Sequence, residues 1–299
     1  MIIIDILRQV KQKCVNYVFM HFPKLMSDKQ YLTVLYRYSM GREMNWDSPK
    51  SFNEKLQWLK IYDRNPEYST MVDKYAVKKY VADKIGEPFI IPTLGVWKRF
   101  EEIDFDALPQ KFVLKCTHDS GGLVICRDKS TFDKTAAHKK IERCLKRNFY
   151  YLGREWPYKN VPPRIIAEPL MEDEEGEDLM DYKLMCFGGK VKCSFVCSAR
   201  SQGLKVTFFD KQWQKLPFER HYPASEENIP CPKTYDEMVR LAEILSEGIP
   251  FVRVDFYEIK GEPYFGELTF YPGSGIEEFR PETWDYTLGS WLELPSSRG

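Results

Sequence analysis

The sequence predicts an α+β fold. Three observations carry that expectation: helical apolar spacing concentrated in the first ninety residues, hairpin signals in the second half, and no regular alternation of strand and helix. The chain has 299 residues, with 43% hydrophobic residues and 44 acidic against 44 basic side chains. This is an ordinary folded composition, and the balance disfavours a globally basic nucleic-acid binder.

The elements follow in order. Residues 1–70 read as a helical segment. Ile3, Ile4, Leu7 and Val10 give the start amphipathic spacing, and Asp5, Arg8, Lys11 and Lys13 interrupt its apolar run. A signal peptide and a membrane span are therefore not expected; a membrane-surface helix is the alternative to a packed one. "SPKSFNEKLQWLKIYDR" offers Ser48 or Ser51 as caps and Phe52, Leu56 and Leu59 as a stripe. Residues 73–87 read as a helix stopping near Gly86 and Pro88, and 88–97 as extended. Residues 111–129 read as strand, Gly-containing loop, strand; 135–153 as one helix closing at Gly153. "PPRIIAEPL" reads as a short buried strand before the acidic "MEDEEGED". Residues 181–199 form a hairpin at Gly188-Gly189, 205–216 a strand and turn, and 234–249 a helix capped by Thr234.

The eight cysteines contain no CxxC pair and read as free thiols of a reducing cytoplasm, not as a metal-thiolate site. The four histidines form no cluster.

The last hairpin, "VRVDFYEIKGEPYFGELTFYPGSG", carries the sharpest chemical signal. A turn centred near Gly261 sets Asp255 opposite Glu267 and Arg253 opposite Thr269, all on one face, with Val254, Phe256, Leu268 and Phe270 on the other. Directly opposed carboxylates repel. A hard cation such as Mg²⁺ between them relieves this; so does Arg253 pairing with Asp255. Two weaker pieces accompany it. "LKCTHDSGG" leads a lysine into a Gly-containing loop suited to phosphate oxygens, without the P-loop pattern. "IIAEPL" offers a carbonyl acceptor at Pro169, an N–H donor at Leu170 and a carboxylate at Glu168, the set an adenine edge needs.

In this order the pieces resemble the ATP-grasp fold. "RVD" followed by "ELTFYPG" is similar to its Arg-x-Asp and Glu-x-Asn-x-x-Pro-Gly strands, with Thr269 in place of Asn. Together with "DKYAVKKYV", "FVLKCTHDSGG" and "DYKLMCFGGK" they resemble the TupA-like branch, found with bacterial cell-surface polysaccharide and teichuronopeptide synthesis; the likeness covers roughly 45–295. It implies two α+β lobes gripping ATP, 71–165 and 166–299, after the helical segment 1–70. It implies that Lys74 and Lys115 hold phosphates under a loop of His118, Ser120, Gly121 and Gly122. Glu168, Pro169 and Leu170 would bind adenine, and an acid within 172–178, such as Glu175, the ribose. Asp255, Glu267 and Thr269 would hold Mg²⁺. Arg253 would stabilise transferring charge; Lys183 is a further phosphate-side group, and Arg200 could face a substrate anion.

The implied activity is an ATP- and Mg²⁺-dependent carboxylate–amine ligase acting through an acyl phosphate. Its carboxylate partner would be a glycan, uronic acid or amino acid, its acceptor an amine, and its place cytoplasmic or at the inner membrane face. The rivals are a glycosyltransferase using Asp104 and Asp106 of "IDFDALP", an ATP-grasp kinase, and a nucleotide-binding regulator without turnover.

Overall fold

The computed structural model describes residues 25–172, 179–198 and 203–296. Helix α1 (Asp28–Met40) opens on a capping box between Ser27 and Gln30 and closes at left-handed Gly41. Helix α2 (Phe52–Tyr62) is capped by Ser51, not Ser48, because Glu54 at the third helical position completes the reciprocal bond. Helices α3 (Glu67–Val72) and α4 (Ala76–Ile85) follow. These helices do not stand apart from the body. Phe52 packs within 4.9–6.3 Å of the Phe187, Phe251 and Phe279 rings, inside the largest apolar core. Each such buried aromatic is worth about 2 kcal/mol, so the helical segment and the larger sheet stabilise each other.

The smaller sheet has the order β1 (Gly95–Trp97), β4 (Ile165–Pro169), β2 (Phe112–Cys116), β3 (Leu123–Cys126). Its back is covered by α5 (Lys134–Leu145), whose Ala137, Ile141 and Cys144 join Phe112, Leu114 and Cys116 in a separate core. The helix expected over 135–153 is broken: α5 ends at Leu145, and a single turn, α6 (Tyr150–Gly153), follows. The apolar face of α5 ends with Cys144, and the charged Lys146 and Arg147 lead away from the sheet. The extended run expected over 88–97 narrows to β1, preceded by a 3₁₀ turn at Glu87–Phe89. The lobe boundary expected at 165/166 passes through β4, whose two neighbours are both small-lobe strands, so the chain crosses between sheets after Leu170.

The larger sheet is antiparallel, ordered β10 (Glu262–Thr269), β9 (Phe251–Ile259), β5 (Asp181–Phe187), β6 (Lys190–Ser198), β7 (Lys205–Phe209). Helix α7 (Tyr235–Leu245) packs its Met238, Leu241, Ala242 and Leu245 face on it. Thr234 precedes α7, but its side chain makes no capping bond; its hydroxyl and N–H both donate to Glu258. Strand β8 (Glu219–Arg220) pairs with β11 (Phe279–Arg280), and α8 (Thr283–Trp291) closes against α2.

The β9–β10 register refines the expectation. Asp255 is opposite Glu267 and Arg253 opposite Thr269, as the hydrophobic pattern requires. Nearer the turn, however, Phe265 pairs with Phe256 and Glu262 with Ile259, one residue out of step. A bulge at Gly266 absorbs the difference. A Cβ there would lie 3.1 Å from the Asp255 carbonyl and 3.2 Å from the Tyr257 ring, so glycine permits the close approach.

Candidate functional site

The two sheets face each other across a cleft of about 490 Å³. Its larger-sheet wall is set by strand alternation. Asp181 and Lys183 project from β5, Asp255 from β9 and Glu267 from β10. Lys183 Nζ lies 2.5 Å from both Asp181 Oδ2 and Asp255 Oδ2. Arg253 donates to both oxygens of Asp255 at 2.6 Å and to Glu267 Oε1 at 2.7 Å. Thr269 Oγ1 donates to the same Glu267 oxygen at 3.2 Å. The opposed carboxylates are therefore bridged by a guanidinium, and Lys183 extends the row.

The electrostatics follow. Burial would raise the Glu267 carboxyl, but Arg253, Lys74 and Lys183 outweigh it and hold it down at about 2. Its side chain keeps 40% exposure, so solvent softens that attraction. Burial works to raise the Asp255 carboxyl, against Arg253 and Lys183. Lys183 is held above the usual lysine range because Asp255 and Asp181 overcome its desolvation. Three acids against two bases leave this face one negative charge in excess. Glu267 Oε2 has no partner among the described residues. An excess negative charge and hard oxygen donors suit Mg²⁺, which Asp255 and Glu267 could hold.

The opposite wall is basic. Lys115 on β2 and Lys78 on α4 each lie 2.5 Å from an oxygen of Glu168. Lys74 Nζ donates to the Asp119 carbonyl at 2.8 Å, and Arg147 grips the Asp119 carboxylate at 2.6 Å. These contacts pin the loop Asp119–Gly122 over the cleft, with Ser120, Gly121 and Gly122 lining it. Gly121 has φ 100°, a backbone state that excludes most side chains, and nothing lies within 4 Å of where its Cβ would be.

Several expected residues sit differently from the reading of the sequence. The His118 ring does not line the cleft; it is buried, with Nε2 3.2 Å from the Cys144 carbonyl, because alternation along the chain turns it onto α5. Glu168 is engaged by two lysines and is not an open acceptor. The Leu170 N–H points at the Lys111 carbonyl, 3.4 Å away, because the β2–β4 ladder continues one pair further. Beside Glu168 a second opening of about 280 Å³ has a mostly apolar lining that includes Val113, Ile125, Pro169, Leu170 and Met171, with Lys115, Arg127 and Glu168 at its polar side, a slot of a kind that suits a flat ring. Glu175 and Arg200 lie outside the described residues. Thr269 and Arg253 both meet Glu267, but neither is part of the cleft lining, and Arg253 is buried.

Among the cleft residues that the sequence reading missed are Lys78 and Asp181. Lys78 is four residues after Lys74, the spacing that puts two side chains on one helical face, and Asp181 is two before Lys183, which puts both on one strand face. Either spacing could have found them.

Two antiparallel sheets closing on a cleft, with lysines and a glycine loop on one wall and an acid–base row on the other, form the ATP-grasp arrangement. The chain belongs to the TupA-like ATP-grasp family, whose family model matches residues 54–293. Membership rests on that match. Among solved structures it is similar to the D-alanine–D-alanine ligase of Bacillus anthracis complexed with ATP, at 15% identity and TM-score 0.38, covering 67% of this chain and 54% of that one. It is also similar to the ATP-grasp ligase PsnB with minimal precursor, Mg and ADP, at 10% identity and TM-score 0.40, covering 89% and 71%. The D-alanine–D-alanine ligase of Helicobacter pylori gives 14%, 0.39, 82% and 70%. The chain thus spans little more than half of the first of these proteins. No curated protein matches the sequence. Among the described residues no helix is long and apolar enough to cross a membrane.

Proposed function

We propose that the protein is an ATP- and Mg²⁺-dependent carboxylate–amine ligase acting through an acyl phosphate. The observation that carries this reading is the set Lys183, Asp255 and Glu267, tied together by buried Arg253, facing Lys74, Lys78 and Lys115 across one cleft. When bound, Mg-ATP supplies the phosphoryl group that activates the substrate carboxylate. Phosphoryl transfer needs positioning and charge neutralisation more than covalent help. Lys74, Lys115 and Lys183 are suited to neutralising phosphate oxygens. Asp255 and Glu267 would offer the metal its oxygens, and Arg253, bonded to both, would help to stabilise the charge that develops. The apolar slot beside Pro169 is suited to adenine. The loop Asp119–Gly122 would keep water from the acyl phosphate until an amine displaces the phosphate. We place the substrate among uronic acids and amino acids of a surface polysaccharide or its precursor, on the strength of the family context, with the protein at work in the cytoplasm or on the inner membrane face.

The reading is tested by thermal-shift titration with ATP, ADP and UDP-sugars, each with and without Mg²⁺, since a ligand of the folded state raises its stability. Stabilisation by ATP and ADP, strengthened by Mg²⁺ and missing with UDP-sugars, is expected. Stabilisation by UDP-sugars alone overturns it in favour of sugar transfer. A screen of carboxylate and amine pairs for phosphate release then identifies the substrates; phosphorylation of a hydroxyl without amine dependence would make the protein a kinase.

A further inference from the structure

Arg220 stands beyond the acid–base row. It ends the two-residue strand β8, and the chain turns immediately after it, His221 taking φ 58°. Its guanidinium lies 4.6 Å from the Phe195 ring centroid and 5.5 Å from that of Phe208. The Arg253 guanidinium lies over the same Phe195 ring, at 5.7 Å. One aromatic ring therefore carries two guanidinium groups, one committed to Asp255 and Glu267 and the other not.

The commitments of Arg220 are few for a buried cation. Its side chain is 9% exposed, and its Nε lies 3.0 Å from Glu277 Oε2 without hydrogen-bond geometry. Its buried Nη1 has no hydrogen-bond partner among the described residues. Burial pulls the guanidinium below its usual range, Glu277 restores only part, and Arg253 pushes the same way as burial. A guanidinium brings five N–H donors and a fork that matches a carboxylate bidentately. Glu277 answers its charge, but burying N–H donors without hydrogen-bond acceptors is costly unless a further acceptor completes them. Phe195 and Phe208 give it a flat apolar support that holds the fork in orientation.

We propose that Arg220, braced on Phe195 beside Arg253, binds a carboxylate of the phosphoryl-accepting substrate. The inference rests on the ligase reading, and it narrows the substrate to an anionic molecule such as a uronate or an acidic amino acid. Arg220 is distinct from the groups assigned to ATP and Mg²⁺, so its removal separates substrate binding from nucleotide binding.

The full chain is titrated as wild type, Arg220→Met and Arg220→Lys with glucuronate, L-glutamate and inorganic phosphate, with and without saturating Mg-ADP. Mg-ADP affinity is measured in the same variants. Mg-ADP binding stays within twofold in all three. At least one carboxylate binds the wild type, its Kd rising tenfold or more in Arg220→Met. Arg220→Lys keeps the charge opposite Glu277, and hence the fold, yet weakens the carboxylate at least threefold through loss of the fork. Equal carboxylate binding in wild type and both variants overturns the proposal. So does binding of phosphate in place of either carboxylate, or no carboxylate binding to the wild type. Absence of Mg-ADP binding would sink the nucleotide reading instead, and the titration without nucleotide still judges Arg220.

Discussion

Glu267→Gln separates the chemistry of the cleft from its architecture. The larger-sheet wall carries Asp181, Asp255 and Glu267 against Lys183 and Arg253, and the substitution takes its balance from minus one to zero. The structural cost is small. Glutamine keeps an oxygen to accept the 2.7 Å bond from Arg253, and the side chain is 40% exposed, so the lost attraction is screened. We expect a loss below about 1 kcal/mol, a fall in Tm of at most about 2–4 °C. The functional cost is larger because the excess charge that attracts Mg²⁺ disappears. Removing one preorganised charge-stabilising group typically costs about 10²–10³ in turnover. The assay is phosphate release with a substrate pair, with Mg-dependent stabilisation by ADP measured alongside. Because Arg253 and its neighbours hold Glu267 at about 2, its charge is complete from pH 5 to 8, and ADP stabilisation should not vary through Glu267 in that range. Turnover within threefold of wild type would refute the metal assignment. A Tm drop above 10 °C would refute the claim that the residue is structurally dispensable.

Three further outcomes follow from the same geometry. Lys78→Ala should weaken ADP binding about as much as Lys115→Ala, each roughly tenfold, because Glu168 holds both lysines at the cleft; isothermal titration measures this, and unchanged affinity in either variant contradicts its place in the site. Lys60 is wholly buried against the Gly153 carbonyl and Ser274, and burial holds its ammonium down at about 8, with Glu155 opposing. The unfolded lysine keeps its proton to higher pH, so stability from this group rises between about pH 8 and 10.5, by at most about 3 kcal/mol. Urea unfolding of wild type and Lys60→Met across that range should show the extra slope only in the wild type; equal slopes contradict it. Asp104 accepts from the Asp106 and Ala107 N–H groups in an exposed turn; Asn at 104 and 106 should leave turnover within twofold, and complete loss would revive sugar-nucleotide chemistry.

Sequence and tertiary structure divide the site unevenly. The face carrying Arg253, Asp255 and Glu267 was legible because side chains alternate along a strand, and a one-residue slip would have turned Val254 and Leu268 to the cleft. The Gly266 bulge was not, since local turn counting fits the same ends without it. Lysine in a Gly-containing strand–loop–strand unit was also readable, as was the apolar stripe of α2, whereas the choice of Ser51 over Ser48 as its cap was made by the fold. What the side chains at 118, 168 and 170 face was not. His118 turns onto α5, Glu168 is held by a helix ninety residues earlier, and Leu170 extends a ladder with Lys111. Arg220 is the clearest case: nothing near it in the chain marks it, and it meets Arg253 only because β6 carries Phe195 between them. Local spacing fixes which residues share a face. Which faces meet, and whether a buried charge finds its partner, depends on contacts between distant segments, and only packing decides those.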